Sequence, residues 1–196
     1  VDETHLAVVI GDVSDKGVPA ALFMMTTKTL VRARTRQGGT PAEILRDVND
    51  RLCEGNGSGM FVTVYLAVID LATGRGLAAN AGHEHPVLRR AGGDFEHVRY
   101  RHDPMLAAMP SLDYADREFE LRPGDTLLVY TDGVPEASNV HKAFYGQDRI
   151  TAFLNAHRDL PLEPLLKALR EDVAAFAGAA PQFDDITLLA ITYNKK

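Results

Sequence analysis

Ala7-Val8-Val9-Ile10-Gly11-Asp12-Val13-Ser14-Asp15-Lys16-Gly17 decides how this chain reads. Four apolar residues, β-branched at their centre, form a short continuous run of the kind that makes a buried strand. The run stops at Gly11-Asp12, and a helical spacing begins near Gly17. A carboxylate at such a strand-to-helix corner projects beyond the sheet edge, where a metal or a phosphate can reach it. Two later segments share the design. Leu127-Leu128-Val129-Tyr130 runs into Thr131-Asp132-Gly133, and Asp184-Asp185 stands just before Ile186-Thr187-Leu188-Leu189. A single Asp at a strand end is most often a turn residue. Three acidic corners on three apolar strands suggest one divalent-metal site, because hard cations such as Mg2+ and Mn2+ take oxygen ligands.

Outward from the first corner, Gly17 to Gln37 carries Val18, Ala21, Leu22, Met25, Leu30 and Val31 in roughly helical order. Ser14 or Asp15 offers a cap and Gly38-Gly39 a stop. Met24 and Met25 read as core filler. Thr40-Pro41-Ala42-Glu43 is a capping box with proline at the first helical position, and the helix it opens aligns Ile44, Leu45, Val48 and Leu52. The stretches 61–69, 77–81, 87–90, 95–100, 114–121 and 126–130 read as strands separated by turn residues. The spacing of Ile150, Phe153 and Leu154, and then of Leu165, Leu166, Leu169, Val173 and Phe176, predicts two more helices. A strand over 186–193 closes the chain. Two helices early, two late and antiparallel hairpins between them predict an α+β fold, with helices covering a pair of packed sheets.

At 196 residues the chain fits one domain with a substantial core. Its 45% hydrophobic and 24% charged content is that of a soluble globular protein, and a net charge of −6 argues against a nucleic-acid partner. No apolar run is long enough to span a bilayer, and no signal-peptide pattern opens the sequence. Cys53 stands alone, which excludes an intrachain disulfide and fits a reducing cytoplasm. The chain lacks an initiator Met and starts almost inside a strand pattern, so it reads as part of something longer.

Rival chemistries find little support. His83 and His85 alternate as if on one face of a strand, but no Cys or third His stands at zinc spacing. They read as structural or rim residues. Cys53 lacks the Arg-closed phosphate loop of a thiol phosphatase, and Asp132 is not followed two residues on by a second Asp. There is no Walker-type loop and no Gly-x-Ser-x-Gly elbow. Gly92-Gly93-Asp94-Phe95 reads as a β-turn.

Five segments in this order carry a resemblance: Gly11-Asp12-Val13-Ser14-Asp15-Lys16-Gly17, Gly59-Met60-Phe61-Val62-Thr63, Asn80-Ala81-Gly82-His83, Leu121 to Asp125 followed by Tyr130-Thr131-Asp132-Gly133-Val134, and Asp184-Asp185-Ile186-Thr187. Together they resemble the bacterial SpoIIE/RsbU-type branch of the PPM (PP2C-like) serine/threonine phosphatases, over nearly the whole chain. The resemblance implies a four-layer α-β-β-α sandwich with two Mn2+ or Mg2+ ions. It implies that Asp12 bridges both ions, that the Val13 carbonyl helps hold one, and that Asp132 and the final acidic pair complete the other. By position Asp184 matches the family ligand, with Asp185 as the alternative. The implied reaction is in-line attack of a metal-bridged hydroxide on phosphorus, with no phosphoenzyme.

Two features depart from the family pattern. The Gly-Gly-Asp-x-x-Asp segment that precedes the first corner in the family is absent from this sequence, and Asp15 stands where the family usually has Gly. Asp15 reads as a surface cap or as a helix-dipole and metal-water residue, the cap being preferred. The resemblance further implies a phosphorylated STAS-type anti-sigma-factor antagonist as substrate, an upstream sensory, receiver or coiled-coil segment, and control through dimerisation. It also implies a switch role for the helical region of Met24 and Met25, which gives them regulator contacts as the alternative to core filler. The alternative function is a non-catalytic phosphatase-like domain that binds signalling partners. A second alternative is a phosphoesterase for small molecules on the same metal chemistry.

Overall fold

In the computed structural model, which describes residues 1–182 and 184–194, twelve elements follow one another. They are β1 (His5–Val13), α1 (Val18–Thr35), α2 (Pro41–Glu54), β2 (Val62–Asp70), β3 (Arg75–Ala81), β4 (Val87–Arg89), β5 (Phe95–His97), β6 (Arg117–Glu120), β7 (Thr126–Tyr130), α3 (Gln147–Ala156), α4 (Leu162–Ala177) and β8 (Leu188–Thr192). The strands form two four-stranded antiparallel sheets, ordered β1-β2-β3-β6 and β5-β4-β7-β8. Two antiparallel sheets with four helices are the α+β class the sequence predicts. The chain divides into two units, one of Val1–His83 with Arg101–Leu121 and one of Glu84–Tyr100 with the residues from Arg122 onward. Among the described residues no helix is long and apolar enough to cross a membrane.

The first unit holds β1, β2, β3 and β6 with α1 and α2. β2 is its central strand, with Val62, Val64, Tyr65, Leu66, Ala67 and Ile69 buried. The valine, leucine and isoleucine side chains among them each contribute about 1.5–3 kcal/mol on leaving water. The turn into β3 is set by Asp70, whose Oδ1 accepts the N–H groups of Ala72 (2.8 Å) and Thr73 (3.1 Å). α2 opens as its sequence predicts. The Thr40 hydroxyl accepts the Glu43 N–H, and the Glu43 carboxylate accepts the Thr40 N–H at 2.9 Å. Ile44, Leu45, Val48 and Leu52 then enter the core with Val31, Leu66 and Leu106.

α1 differs from its expected arrangement. Val18, Leu22 and Met25 are 72%, 64% and 57% exposed, while the buried positions are Ala20, Thr27, Val31 and Thr35. The inward threonines cost little because each bonds within its own helix. Thr27 Oγ1 donates to the Phe23 carbonyl at 2.9 Å, and Thr35 Oγ1 donates to the Val31 carbonyl at 2.7 Å. Met24 packs against the core and Met25 does not. The expected cap is also absent: Gly17 is the N-cap residue, and no side chain caps α1. Ser14 Oγ instead accepts the Phe61 N–H at 2.9 Å, and Asp15 is exposed with φ 73°. Two left-handed residues, Asp15 and Gly17, turn the chain out of the strand and into α1.

The second unit holds β4, β5, β7, β8, α3 and α4. All five residues of β7 are buried, as befits a central strand flanked by β4 and β8. Ile150 and Leu154 from α3 and Leu165, Leu169 and Val173 from α4 pack with Val87, Phe95, Leu128 and Tyr130. The turn before β7 is fixed by Asp125, whose carboxylate accepts the N–H groups of Ala91 and Arg122 and the Arg90 guanidinium. Gly92-Gly93-Asp94 forms the β4–β5 turn, with Gly93 N–H on the Arg90 carbonyl.

Candidate metal centre

In the first unit, Asp12 is the penultimate residue of β1 and lies opposite Thr63. Val13 ends the strand opposite Val62. The ladder here requires glycine before the acid, since a Cβ on Gly11 would lie 2.8 Å from the Thr63 carbonyl oxygen. The Thr63 hydroxyl stands 2.9 Å from His83 Nδ1 and makes a long 3.4 Å approach to the Asp12 carbonyl. His83 is buried and is itself positioned by Asn80, whose Oδ1 accepts the His83 N–H at 2.7 Å while its Nδ2 donates to the His83 carbonyl at 3.0 Å. The Asn80-Ala81-Gly82-His83 segment is therefore a buried support behind the acidic corner. The sequence reads His83 as a structural or rim residue, and its burial against Asn80 and Thr63 makes it structural.

In the second unit, Asp132 stands two residues past the end of β7, after Thr131, and Asp184 lies in the segment leading to β8. One carboxylate oxygen of Asp132 and one of Asp184 lie within 4.8 Å of each other. Thr131 ties the two segments together. Its hydroxyl donates to the Asp185 carbonyl at 2.9 Å and accepts the Thr187 N–H at 3.0 Å, while its N–H donates to the Thr187 carbonyl at 3.1 Å. Gly133 sits against the same segment, where a Cβ would be 2.3 Å from the Asp185 carbonyl oxygen. The Asp184 side chain is half-buried and accepts the Asp185 N–H at 2.8 Å, while Asp185 is exposed.

Two half-buried carboxylates this close repel unless a proton or a cation stands between them. A hard cation holding oxygens at roughly 2.1–2.5 Å spans at most about 4–5 Å between two of them, so the pair suits one shared ion. Two further carboxylates belong to the same unit and went unread in the sequence. Burial pushes the Glu84 carboxyl above its ordinary range, the hydrogen bond from Gln147 Nε2 at 2.9 Å opposes that, and the Asp132 charge adds to it. Glu136, whose N–H bonds the Asp132 carbonyl, is pushed up by partial burial and then by the charges of Asp132, Glu84 and Asp184. No spacing rule marks Glu84. Glu136 had one available signal, its place four residues past Asp132 in the same turn.

The remaining candidates stay apart from this chemistry. His83 and His85 lie outside any strand, so the alternation that suggested a shared face does not exist. His85 Nε2 is 2.7 Å from the Tyr100 carbonyl, and the two rings meet edge-on at 5.0 Å. Cys53 lies half-buried on α2, and burial, with the nearby Asp50 charge, pushes its thiol up and away from nucleophilic use.

The fold and these corners define a class, the PP2C-like serine/threonine phosphatase domains. The family model for stage II sporulation protein E (SpoIIE) matches residues 2–194, and the chain belongs to that family. Protein IcfG of Synechocystis sp. (strain ATCC 27184 / PCC 6803 / Kazusa) is 30% identical over 219 residues, covering 98% of this chain and 34% of that protein. The phosphoserine phosphatase RsbU of Bacillus subtilis (strain 168) is 22% identical over 190 residues, covering 97% of this chain and 56% of that protein. Among solved structures, that of the RsbU and RsbW domains of Rv1364c from Mycobacterium tuberculosis superposes with a TM-score of 0.85 at 25% identity, over 98% of this chain and 52% of that one. The chain thus spans about a third to a half of these relatives.

Proposed function

We propose that this chain is the catalytic module of a metal-dependent protein phosphatase that hydrolyses phosphoserine or phosphothreonine on a regulatory protein. The observation that carries the reading is the Asp132–Asp184 carboxylate pair, tied by Thr131 and closed by Gly133, in a chain matched by the SpoIIE family over 2–194. Following the family pattern, Asp12, the Val13 carbonyl, Asp132 and Asp184 would hold two divalent cations, Mn2+ or Mg2+, with Asp185 beside them. Such ions supply an activated water at neutral pH and offset negative charge on the phosphoryl oxygens. The protein's own part is positioning. Thr131 and Gly133 set the separation of two ligands, Thr63 and His83 brace the strand end that carries a third, and Glu84 and Glu136 add negative charge around Asp132. No Ser, Cys or His nucleophile is required, which agrees with the half-buried Cys53.

The substrate we infer, from the family resemblance, is a phosphorylated STAS-type anti-sigma-factor antagonist. The setting is a cytoplasmic signalling protein in which an upstream sensory or receiver segment controls the module, with a homodimer as one means of control. The test is Mn2+-dependent dephosphorylation of a phosphoserine protein by the full-length gene product, set against Asp132→Asn. Metal-dependent turnover abolished by the substitution supports the reading. A folded, metal-supplied protein with no turnover in the presence of its activating partner would replace it with a partner-binding role.

A further inference from the structure

The turn that carries Asp132 continues directly into a small hairpin with an outward apolar surface. Glu136 N–H bonds the Asp132 carbonyl at 2.9 Å, and Tyr145 N–H then bonds Ala137 at 2.8 Å, closing the hairpin five residues beyond Asp132. Ser138 and Phe144 pair across it in antiparallel fashion. The tip is fixed by Asn139, whose Oδ1 accepts the N–H groups of His141 (2.9 Å) and Ala143 (3.1 Å) and whose carbonyl accepts the Lys142 N–H at 2.9 Å. Lys142 completes the turn with φ 61°. At the base, alternation sends Tyr145 inward, where it is buried with its hydroxyl on Asp172 at 2.6 Å, and sends Phe144 outward.

Phe144 is 67% exposed and Val140, at the tip, 62%. A rigid hairpin that spends its inward tyrosine on anchorage and turns a phenylalanine to solvent is built to meet something. We propose that the 138–145 hairpin is the docking element for the phosphoprotein substrate, with Phe144 and Val140 contacting an apolar patch beside the phosphorylated residue. The inference rests on the phosphatase reading above. Three observations favour a protein substrate as occupant. Val140 lies eight residues past Asp132, at most about 29 Å away even when extended. That is within the roughly 32 Å diameter of a standard interface of about 800 Å² per partner, so one partner covers both Asp132 and the hairpin. Lys142 puts a positive charge at the tip in a chain of net charge −6, which suits a partner carrying a phosphate. Finally, the hydrogen-bonded tip is ordered in advance, which lowers the entropic cost of binding.

The experiment compares wild type with Val140→Ser/Phe144→Ser and with Phe144→Leu, in the full-length protein with Mn2+. The two substrates are p-nitrophenyl phosphate and the phosphoserine form of a STAS-domain protein. The expected result is a loss of about tenfold or more in kcat/KM on the phosphoprotein, carried mainly by KM. Turnover of p-nitrophenyl phosphate stays within about twofold of wild type, and Phe144→Leu recovers most of the loss. Equal effects on both substrates, or none on the phosphoprotein, overturn the docking role. Wild type that cleaves the small ester but prefers it to the phosphoprotein also overturns it, while leaving metal-dependent phosphatase chemistry intact. Wild type inactive on both substrates sinks the phosphatase reading itself.

Discussion

Gly133→Ala is the substitution that most directly tests how the carboxylate pair is held. A Cβ at this position would lie 2.3 Å from the Asp185 carbonyl oxygen, 2.9 Å from its carbon and 3.3 Å from the Asp184 carbonyl carbon. All three contacts are backbone, so no side chain can rotate away. Contacts under 3.0 Å are essentially never found for real Cβ atoms, so the 184–185 segment must retreat by about 0.7 Å. That retreat works against the Thr131 hydroxyl bond to Asp185 and the pairing of Thr131 with Thr187. The cost of forcing a methyl into such a site is about 1–3 kcal/mol, and for a chain of this size 2 kcal/mol lowers Tm by about 4–8 °C. The chemical effect is larger, because a displacement approaching 1 Å at a reacting centre costs roughly 10²-fold in rate. Mn2+ titration by calorimetry, thermal unfolding and Mn2+-dependent turnover of p-nitrophenyl phosphate are the assays. We expect weakened metal binding and a fall in kcat out of proportion to the modest loss of Tm. A variant with native metal affinity, turnover and Tm would refute the idea that this close approach sets the Asp132–Asp184 spacing.

Further outcomes follow from the structure. Asp132→Asn should abolish metal-dependent turnover and Asp184→Asn should weaken Mn2+ binding far more than Asp185→Asn, all read by calorimetry alongside activity. Asp15→Gly should raise stability by about 0.5–1 kcal/mol in urea unfolding, since it relieves a non-glycine residue held at φ 73° that caps nothing. Thr40→Ala should cost about 1 kcal/mol through loss of the α2 capping box, seen as a lower midpoint with unchanged m-value. For Asp125, burial pushes the carboxyl up, but the bonds from Arg122, Arg90 and Ala91 outweigh it and leave it below its ordinary 3.8. Its stabilisation is therefore complete above the unfolded value and is lost as pH falls through the lower folded one. Asp125→Asn should cost about 1.5–3 kcal/mol near neutral pH, with the gap to wild type closing below about pH 4.

What the sequence made legible is what local chemistry decides. The α2 capping box and its apolar face need only residues four apart to declare themselves, and β2 and β7 are apolar runs of strand length. The face of α1 was misread because hydrophobicity alone was counted, whereas Thr27 and Thr35 are buried with their hydroxyls satisfied inside the helix. Strand edges slipped where polar residues were needed elsewhere. The stretch expected to begin at Tyr114 becomes β6 only at Arg117, because Ala115 N–H bonds Asp103 and the Asp116 carboxylate serves Ala42 N–H on α2. The acidic corners Asp12, Asp132 and Asp184 were legible as strand ends. Glu84 was not, since its place near Asp132 comes from the fold of the second unit rather than from any spacing, and Glu136 had only its place four residues past Asp132 to mark it.

The position of Asp15 shows why a departure from a family pattern need not be a functional change. The family's usual glycine there reads, in sequence, as a missing or altered role, and a cap was the natural guess. The backbone gives a plainer account: the residue after Ser14 must turn left-handed to swing the chain into α1, and Asp tolerates that at modest cost where Gly does so freely. The same reasoning explains the other motif residues. Gly11 stands before one acid because the Thr63 carbonyl approaches to 2.8 Å, and Gly133 stands after another because the Asp185 carbonyl approaches to 2.3 Å. Each corner also has a threonine hydroxyl tying it to the neighbouring segment, Thr63 in one unit and Thr131 in the other. The motifs thus combine one candidate ligand with a glycine and a threonine that fix its backbone. Changing the glycine or the threonine should disturb metal binding without removing a single ligand oxygen.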